Sequence, residues 1–423
     1  MWVKKMRVYA VLSALSTSLF LMMLFSALPV HGEATWSIQT LDDYFSNVGF
    51  VEVDSQNNPH IVYNIRDMTN WYSNYEVVEE VRYSRWNGSD WNITTVIQDS
   101  VCLDFNLDSN DHPHILYRLK VRPLHENLMY TTWTGSNWFT QIVDPNGEEG
   151  SIALDSAGNP HVAYFTDIHL KYAKWNEAKN WDIQIVTVPE PLPHPMRNSM
   201  RLELDSKDSA HIMYTTSGES IKYIVENGDK WQVKTTLENF ELCDMKLDSK
   251  GNPHIVYSEN VLFNKQIPVY ALWTGEKWQS QNFQIPTSEH SGTYTGAKLA
   301  IDSHDCPHIV YHMDTDAYKG DLIYATVTED NWNFQAINLN KTAGVCDVAV
   351  DSNDNPQVIY YGYQEQPPPS RYGRYLNYAT VIFPLVSSTV SDSPFPPTIA
   401  AVIAGAAVIV ATYVWKRKSK LKT

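Results

Sequence analysis

The sequence predicts an all-β chain, a seven-bladed β-propeller closed by an N-terminal strand in its last blade, followed by a C-terminal single transmembrane helix. Three observations carry this. A phrase of the form DSxxNPHIVY recurs seven times, beginning at Asp54, Asp108, Asp155, Asp205, Asp248, Asp302 and Asp351. The copies lie 43 to 54 residues apart, the period of a propeller blade. A second turn, read as WNGSDW or WTGSNW, recurs with trailing Trp91, Trp138, Trp181, Trp231, Trp278 and Trp332, six copies against seven.

The missing outer strand is at the other end of the chain. Trp36-Ser37-Ile38-Gln39-Thr40-Leu41 has the form of the outer strand Trp91-Asn92-Ile93-Thr94-Thr95-Val96. The N-terminus therefore completes blade 7, which protects the open edges of the first and last blades. A solenoid of seven stacked units shares the period, but gives no reason to begin with the strand its last unit lacks.

Within one repeat, four strand-like runs alternate with turn chemistry. In DSxxNP, the Asp and Ser side chains bond the backbone two residues on and Pro presets its own φ, so the phrase is a tight turn between strands 1 and 2. WxGxxW joins strands 3 and 4. Recurrence in every blade argues for scaffold, so His60, His114, His161, His211, His254 and His308 are expected to hydrogen-bond their own turns, and no metal site is expected. Gln357 holds the seventh place. Runs such as Asp351-Ser352-Asn353-Asp354-Asn355 lack the calcium-loop spacing and read as turn caps. Tyr63, Tyr117, Tyr164, Tyr214, Tyr257, Tyr311 and Tyr360 read as core between blades.

Function is expected where the repeats differ. Alternating strands put the two conserved turns on one face and the 2-3 and 4-1 loops on the other. The irregular face carries Trp71, Tyr72 and Tyr75 in residues 66–80, Arg118, Arg122 and His125 in 118–126, and Arg371 and Arg374 in 364–375. Its interblade loops include 189–198 and 286–295, the latter with His290 and Tyr294. Four residues before each repeated Asp stand Phe50, Asp104, Ser151, Arg201, Asp244, Lys298 and Asp347. This ring should face the channel near that mouth, its ions either forming a site or pairing as structural salt bridges.

The ends bound the location. Residues 1–32 carry Lys4, Lys5 and Arg7 before an apolar run and read as a signal peptide. The propeller is assigned to 33–385 and a Ser/Pro-rich stalk to 386–397. Residues 398–415 are charge-free and precede a basic tail, 416–423, which reads as a membrane span with the propeller outside the cell. The leader holds three and the tail five of the 32 Lys+Arg, leaving 24 against 48 Asp+Glu. That surplus of negative charge excludes nucleic acid as a partner. Cys102, Cys243, Cys306 and Cys346 are expected as buried free thiols. Asn87, Asn92 and Asn340 begin glycosylation sequons.

The repeat, seen in Asp155-Ser156-Ala157-Gly158-Asn159-Pro160 and Leu170-Lys171-Tyr172-Ala173-Lys174-Trp175, resembles the sialidase-like (BNR-type) propellers of archaeal and bacterial surface proteins over residues 36–383. Of the sialidase Asp-box, SxDxGxxW, only the GxxW end stands here, as in Gly88-Ser89-Asp90-Trp91. The resemblance implies a surface propeller. Sialidase chemistry would need three arginines around the substrate carboxylate, and Arg201 is the only Arg in the inner ring. Two functions follow as expectations. The first is a membrane-anchored binding or adhesion module for glycans or protein partners, using Trp71, Tyr72, Tyr75, Arg118, Arg122, His290, Tyr294, Lys298, Arg371 and Arg374. The alternative is a glycoside hydrolase with two of Asp104, Asp244 and Asp347 as its carboxylate pair, about 5 Å apart for retention or about 6.5 to 9.5 Å for inversion, and Arg201 beside them. No cofactor is expected.

Overall fold

A computed structural model describes residues 35–382 apart from 44, 68–77, 122–124, 167–168, 177, 179, 188–194, 217–219, 229, 239, 262–264, 283–293, 317–318, 329–330, 343 and 365–372. The span Trp36–Val381 is one compact unit of seven four-stranded antiparallel sheets. Blade 1 shows the pattern, with strands Phe45–Val53, Pro59–Asp67, Val78–Trp86 and Trp91–Gln98 paired in chain order. Blades 2 to 6 repeat it. In blade 7 the order is Thr35–Asp43, Gly373–Ile382, Pro356–Gln364 and Gly344–Val350, so the N-terminal strand is the outermost. The chain is a seven-bladed β-propeller.

Trp36 takes the place of the seventh outer-strand Trp in its packing as well as in the sheet. Outer Trp residues meet, edge to face, a third-strand Tyr of the preceding blade: Tyr83 with Trp138, Tyr130 with Trp181, Tyr172 with Trp231 and Tyr270 with Trp332. Trp36 meets Tyr324 of blade 6 in the same way, with ring centroids 5.4 Å apart. Asp42 of the closing strand also accepts from Tyr63 and Arg82 of blade 1.

The repeated phrase builds its turn as expected. Asp54 Oδ1 accepts the N–H groups of Gln56 and Asn58, and Asn57 N–H bonds the Asp54 carbonyl. Burial works against the Asp54 carboxylate, but bonds from Asn58, Arg85 and Gln56 hold it down at about 2. The residue three places after each repeated Asp sits at positive φ, which is why it is always Asn, Asp or Gly: Asn57, Asp111, Gly158, Asp208, Gly251, Asp305 and Asp354.

That same residue ties the turns into a ring. Ser55 donates through N–H and Oγ to Asp111 of the next blade, and Ser156 to Asp208, Ser249 to Asp305 and Ser303 to Asp354 do likewise. Ser352 N–H bonds Asn57 Oδ1 across the closure. Gly158 and Gly251 offer no acceptor, so the joints between blades 2 and 3 and between blades 4 and 5 lack this staple.

The repeated His bonds its turn, as expected, and also a neighbouring strand. Its Nδ1 accepts from a Tyr hydroxyl in all six blades, as in His60 with Tyr83 and His114 with Tyr130, both at 2.7 Å. Its Nε2 faces the repeated Asp, at 3.3 Å for His60 and 3.2 Å for His308. Gln357 performs both tasks with an amide, accepting from Tyr378 and donating to Asp351. An amide cannot take up a proton, so the position works with a neutral ring. Burial pushes His60 and His114 down to about 4.

Cys102 and Cys346 are buried free thiols, but Cys306 is only half-buried, because it replaces Asn in the Asp302 turn where the strand has not yet entered the core. Among the described residues no helix is long and apolar enough to cross a membrane. The leader, the stalk and the 398–415 span lie outside the described residues, as does the side chain of Cys243.

Candidate functional site

The ring found from the repeat register comes together. Phe50, Asp104, Ser151, Arg201, Asp244, Lys298 and Asp347 all line one cavity of about 400 Å³ in the channel, counting its open ends. Strand alternation places the residue two further on along the same face, and Glu52, Asn106, Glu203 and Lys246 line the cavity too. Reading a single register position missed this second tier, although the period of two was available to find it. Toward the loop-rich face the channel widens into a mouth of about 620 Å³, also counting open space, whose lining includes Val48, Phe50, Glu149, Met200, Arg201 and Lys298.

Irregular pairing aims the ring. One extra residue interrupts the inner-strand register just before each aspartate, between Cys102 and Asp104, Leu242 and Asp244, and Val345 and Asp347. A bulge there bends the strand and redirects its side chain.

Most ring members fasten one blade to the next. Asp104 Oδ2 accepts from Ser151 Oγ at 2.5 Å and Ile152 N–H at 2.9 Å. Ser151 Oγ in turn accepts from Leu202 N–H. Asp244 Oδ2 accepts from Leu299 N–H and Asp347 Oδ2 from Val51 N–H. Arg201 Nε lies 2.5 Å from Asp244 Oδ1, and Arg201 Nη1 also donates to the Met200 carbonyl. The expected ions thus act largely as structural partners. Phe50 and Lys298 are the two exceptions: among the described residues neither side chain bonds the next blade.

The second tier is strained electrostatically. Lys246 pairs with Glu203 at 3.0 Å, leaving Glu52 with no hydrogen bond or ion pair among the described residues. Burial lifts the Glu52 carboxyl to about 7, with Asp347, Glu203 and Asp104 adding and Lys246 opposing. Burial, with the charge of Asp244, lifts Asp347 to about 6 against the pull of Lys298. Asp244 is held low despite burial, chiefly by Arg201.

This makes Glu52 a source of instability at high pH. Its folded value lies above the ordinary 4.5, so the folded state loses stability as pH rises from 4.5 through 7. Glu52→Gln should therefore stabilise the fold by roughly 2 kcal/mol at pH 8, after discounting for water in the channel, and have no effect at pH 4. Urea unfolding at both values checks this. An equal or destabilising effect at pH 8 would show that Glu52 has a partner in solution.

The other expected contacts divide. Arg118 faces Glu149 of the mouth at 3.5 Å, and Arg374 rests over the Tyr361 ring, 5.5 Å from its centroid, outside the channel lining. The strand Tyr294–Ile301 contains Tyr294, whose side chain is not described. Trp71, Tyr72, Tyr75, Arg122, His290 and Arg371 lie outside the described residues. On the turn face Asp302, His304 and Asp354 bring possible ligand atoms within 4.8 Å of one another. The Asp354 oxygens are engaged by Ser303, and those of Asp302 by the N–H groups of His304 and Cys306 and by His308.

No family model matches the chain, and no curated protein matches it. Similar solved structures include the Aleuria aurantia lectin with a fucosyl disaccharide, at 11% identity and TM-score 0.44, covering 71% of this chain and 99% of that one. A NanB sialidase variant from Streptococcus pneumoniae has 13% identity and TM-score 0.42, covering 84% and 72%. A polysaccharide lyase acting on ulvan has 10% identity and TM-score 0.49, covering 79% and 91%. The propeller assignment stands on the chain's own seven sheets.

Proposed function

We propose that this chain is a cell-surface binding module, held in the membrane by residues 398–415, that takes a glycan or a protein partner at the loop-rich mouth of its channel. The observation that carries the reading is the exemption of Phe50 and Lys298. Both line the mouth and the cavity beneath it, and among the described residues neither side chain hydrogen-bonds the next blade. An aromatic face suits the apolar side of a sugar ring, and an ammonium group donates to its hydroxyls.

A glycan array probed with the detergent-solubilised chain should give hits that weaken about tenfold, the scale of one lost charge-assisted hydrogen bond or stacking contact, in Phe50→Ala and Lys298→Met. Trp71→Ala and Tyr72→Ala test the aromatic residues expected from the sequence to bind. Hits untouched by the channel variants would move the site elsewhere, and a blank array would leave the protein partner. Membrane attachment is tested by sedimentation with the membrane fraction, which deletion of 398–423 should abolish.

Glycoside hydrolysis is the second reading, favoured by the raised carboxyls of Asp347 and Glu52, since an acid near neutrality can protonate a leaving group. Turnover of fluorogenic glycosides, lost in Asp347→Asn, would support it. No turnover across the common glycosides would leave binding alone.

A further inference from the structure

We infer that the channel below the mouth receives the ammonium end of a ligand, so that a glycan bound there is an amino sugar with a free amine. The inference rests on the glycan reading for its sugar part and on the channel itself for its charge. Six carboxylates line the mouth and cavity against three cations. Three of the carboxylates have direct cationic partners: Glu149 with Arg118, Glu203 with Lys246 and Asp244 with Arg201. Asp104 is satisfied by a hydroxyl and two backbone N–H groups. Among the described residues Glu52 has no hydrogen bond or ion pair and Asp347 has the single Val51 N–H, so the unmet charge in the cavity is negative.

Lys298 does not reverse this. It stands on the ring between Asp244 and Asp347, and its charge is felt by both carboxylates, lowering each. The groups facing Glu52 are Lys246, Asp347, Glu203 and Asp104, three of the four being acids. A narrow channel with low-dielectric walls concentrates the counter-ion of its own surplus charge, and the acidic surface around it adds the same sign at long range. An acidic sugar meets a surplus of negative charge offset in part by Lys298, whereas an ammonium meets the Glu52 carboxylate, which has no hydrogen bond or ion pair among the described residues.

The matched probes are a chitosan tetrasaccharide and its fully N-acetylated form, which share a skeleton and differ in the amine, with spermidine as an amine lacking sugar. Binding is measured calorimetrically on the full chain at pH 7.5. The free-amine tetrasaccharide should bind about tenfold tighter than the acetylated one, and Glu52→Gln with Asp347→Asn should erase the difference. Asn keeps an acceptor for Val51 N–H, and Gln removes a group with no partner among the described residues, so both variants should fold. Equal binding of the two tetrasaccharides overturns the inference and leaves the glycan reading standing. Spermidine binding that depends on Glu52, with neither tetrasaccharide bound, supports the inference and overturns the glycan reading. No binding of any of the three probes overturns the inference.

Discussion

Replacing His60 and His114 by Gln should flatten the acid sensitivity of the fold, with each substitution worth on the order of 3 kcal/mol at pH 4 and nothing at pH 8. Burial holds both rings at about 4, opposed by Asp54 and Asp108 respectively. A base with a depressed folded value stays neutral in the fold while the unfolded chain protonates. Its contribution is therefore complete above 6.5 and is lost as pH falls from 6.5 toward 4. Gln357 shows that an amide can accept from the Tyr hydroxyl and donate to the Asp in this same position. Glu52 and Asp347 act in the opposite sense over an overlapping range, so the difference between wild type and variants, not the raw profile, reads the effect. Denaturant unfolding at pH 8, 6 and 4 measures it. A constant difference across the three values would mean that the rings are not held neutral.

Trp36→Ala should cost about 3 kcal/mol, the same as Trp138→Ala in the body of the wheel. Trp36 packs against a cluster spanning blades 6 and 7 that includes Val310, Leu322, Tyr324, Val358 and Tyr360. Its ring lies on Tyr324 as Trp138 lies on Tyr83. Thr40 Oγ1 also donates to Asn377 Oδ1 in the neighbouring strand. Loss of the Trp36 ring thus removes apolar contact at the joint between blades 6 and 7. The measurement is the denaturant midpoint of the two variants side by side. A cost under about 0.5 kcal/mol for Trp36 alone would mark the first strand as a dispensable arm.

The fold was legible because every blade states it again. Seven DSxxNP turns and six outer Trp residues located a missing strand, and Trp36 could be placed from an absence in the count. The ring of Phe50, Asp104, Ser151, Arg201, Asp244, Lys298 and Asp347 was legible for the same reason, as the varying column in an otherwise constant register. What each member does was not. Whether Asp347 meets a ligand or Val51 N–H depends on how blades 7 and 1 sit against each other, and the bulge before it leaves no motif. The link from Ser55 to Asp111 was equally hidden, since each residue is already explained within its own turn. Glu52 was overlooked because its column also holds Ala153, Ala300 and Ala349 and looks like filler.

The two sets of fastenings, around the turn face and around the channel, give the seven joints unequal insurance. Blades 3 and 4, 5 and 6, and 7 and 1 are held at both levels. The joints beside Phe50 and Lys298 are held by Ser55 with Asp111 and Asn64 with Ser100 and Cys102, and by Ser303 with Asp354, so a change at Lys298 breaks no hydrogen bond between blades among the described residues, while Phe50 also packs on the apolar cluster shared by blades 1 and 2. The joints at Gly158 and Gly251 have the reverse arrangement, tied in the channel by Asp104 at the first and by the Arg201–Asp244 and Glu203–Lys246 pairs at the second. Adaptation of the site is thereby steered toward blade 6, whereas Asp104 and Asp244 stand at joints that the turn ring leaves open, where the remaining polar ties include Asp144 with Tyr164 and Lys171 at the first and Leu242 with Thr215 at the second.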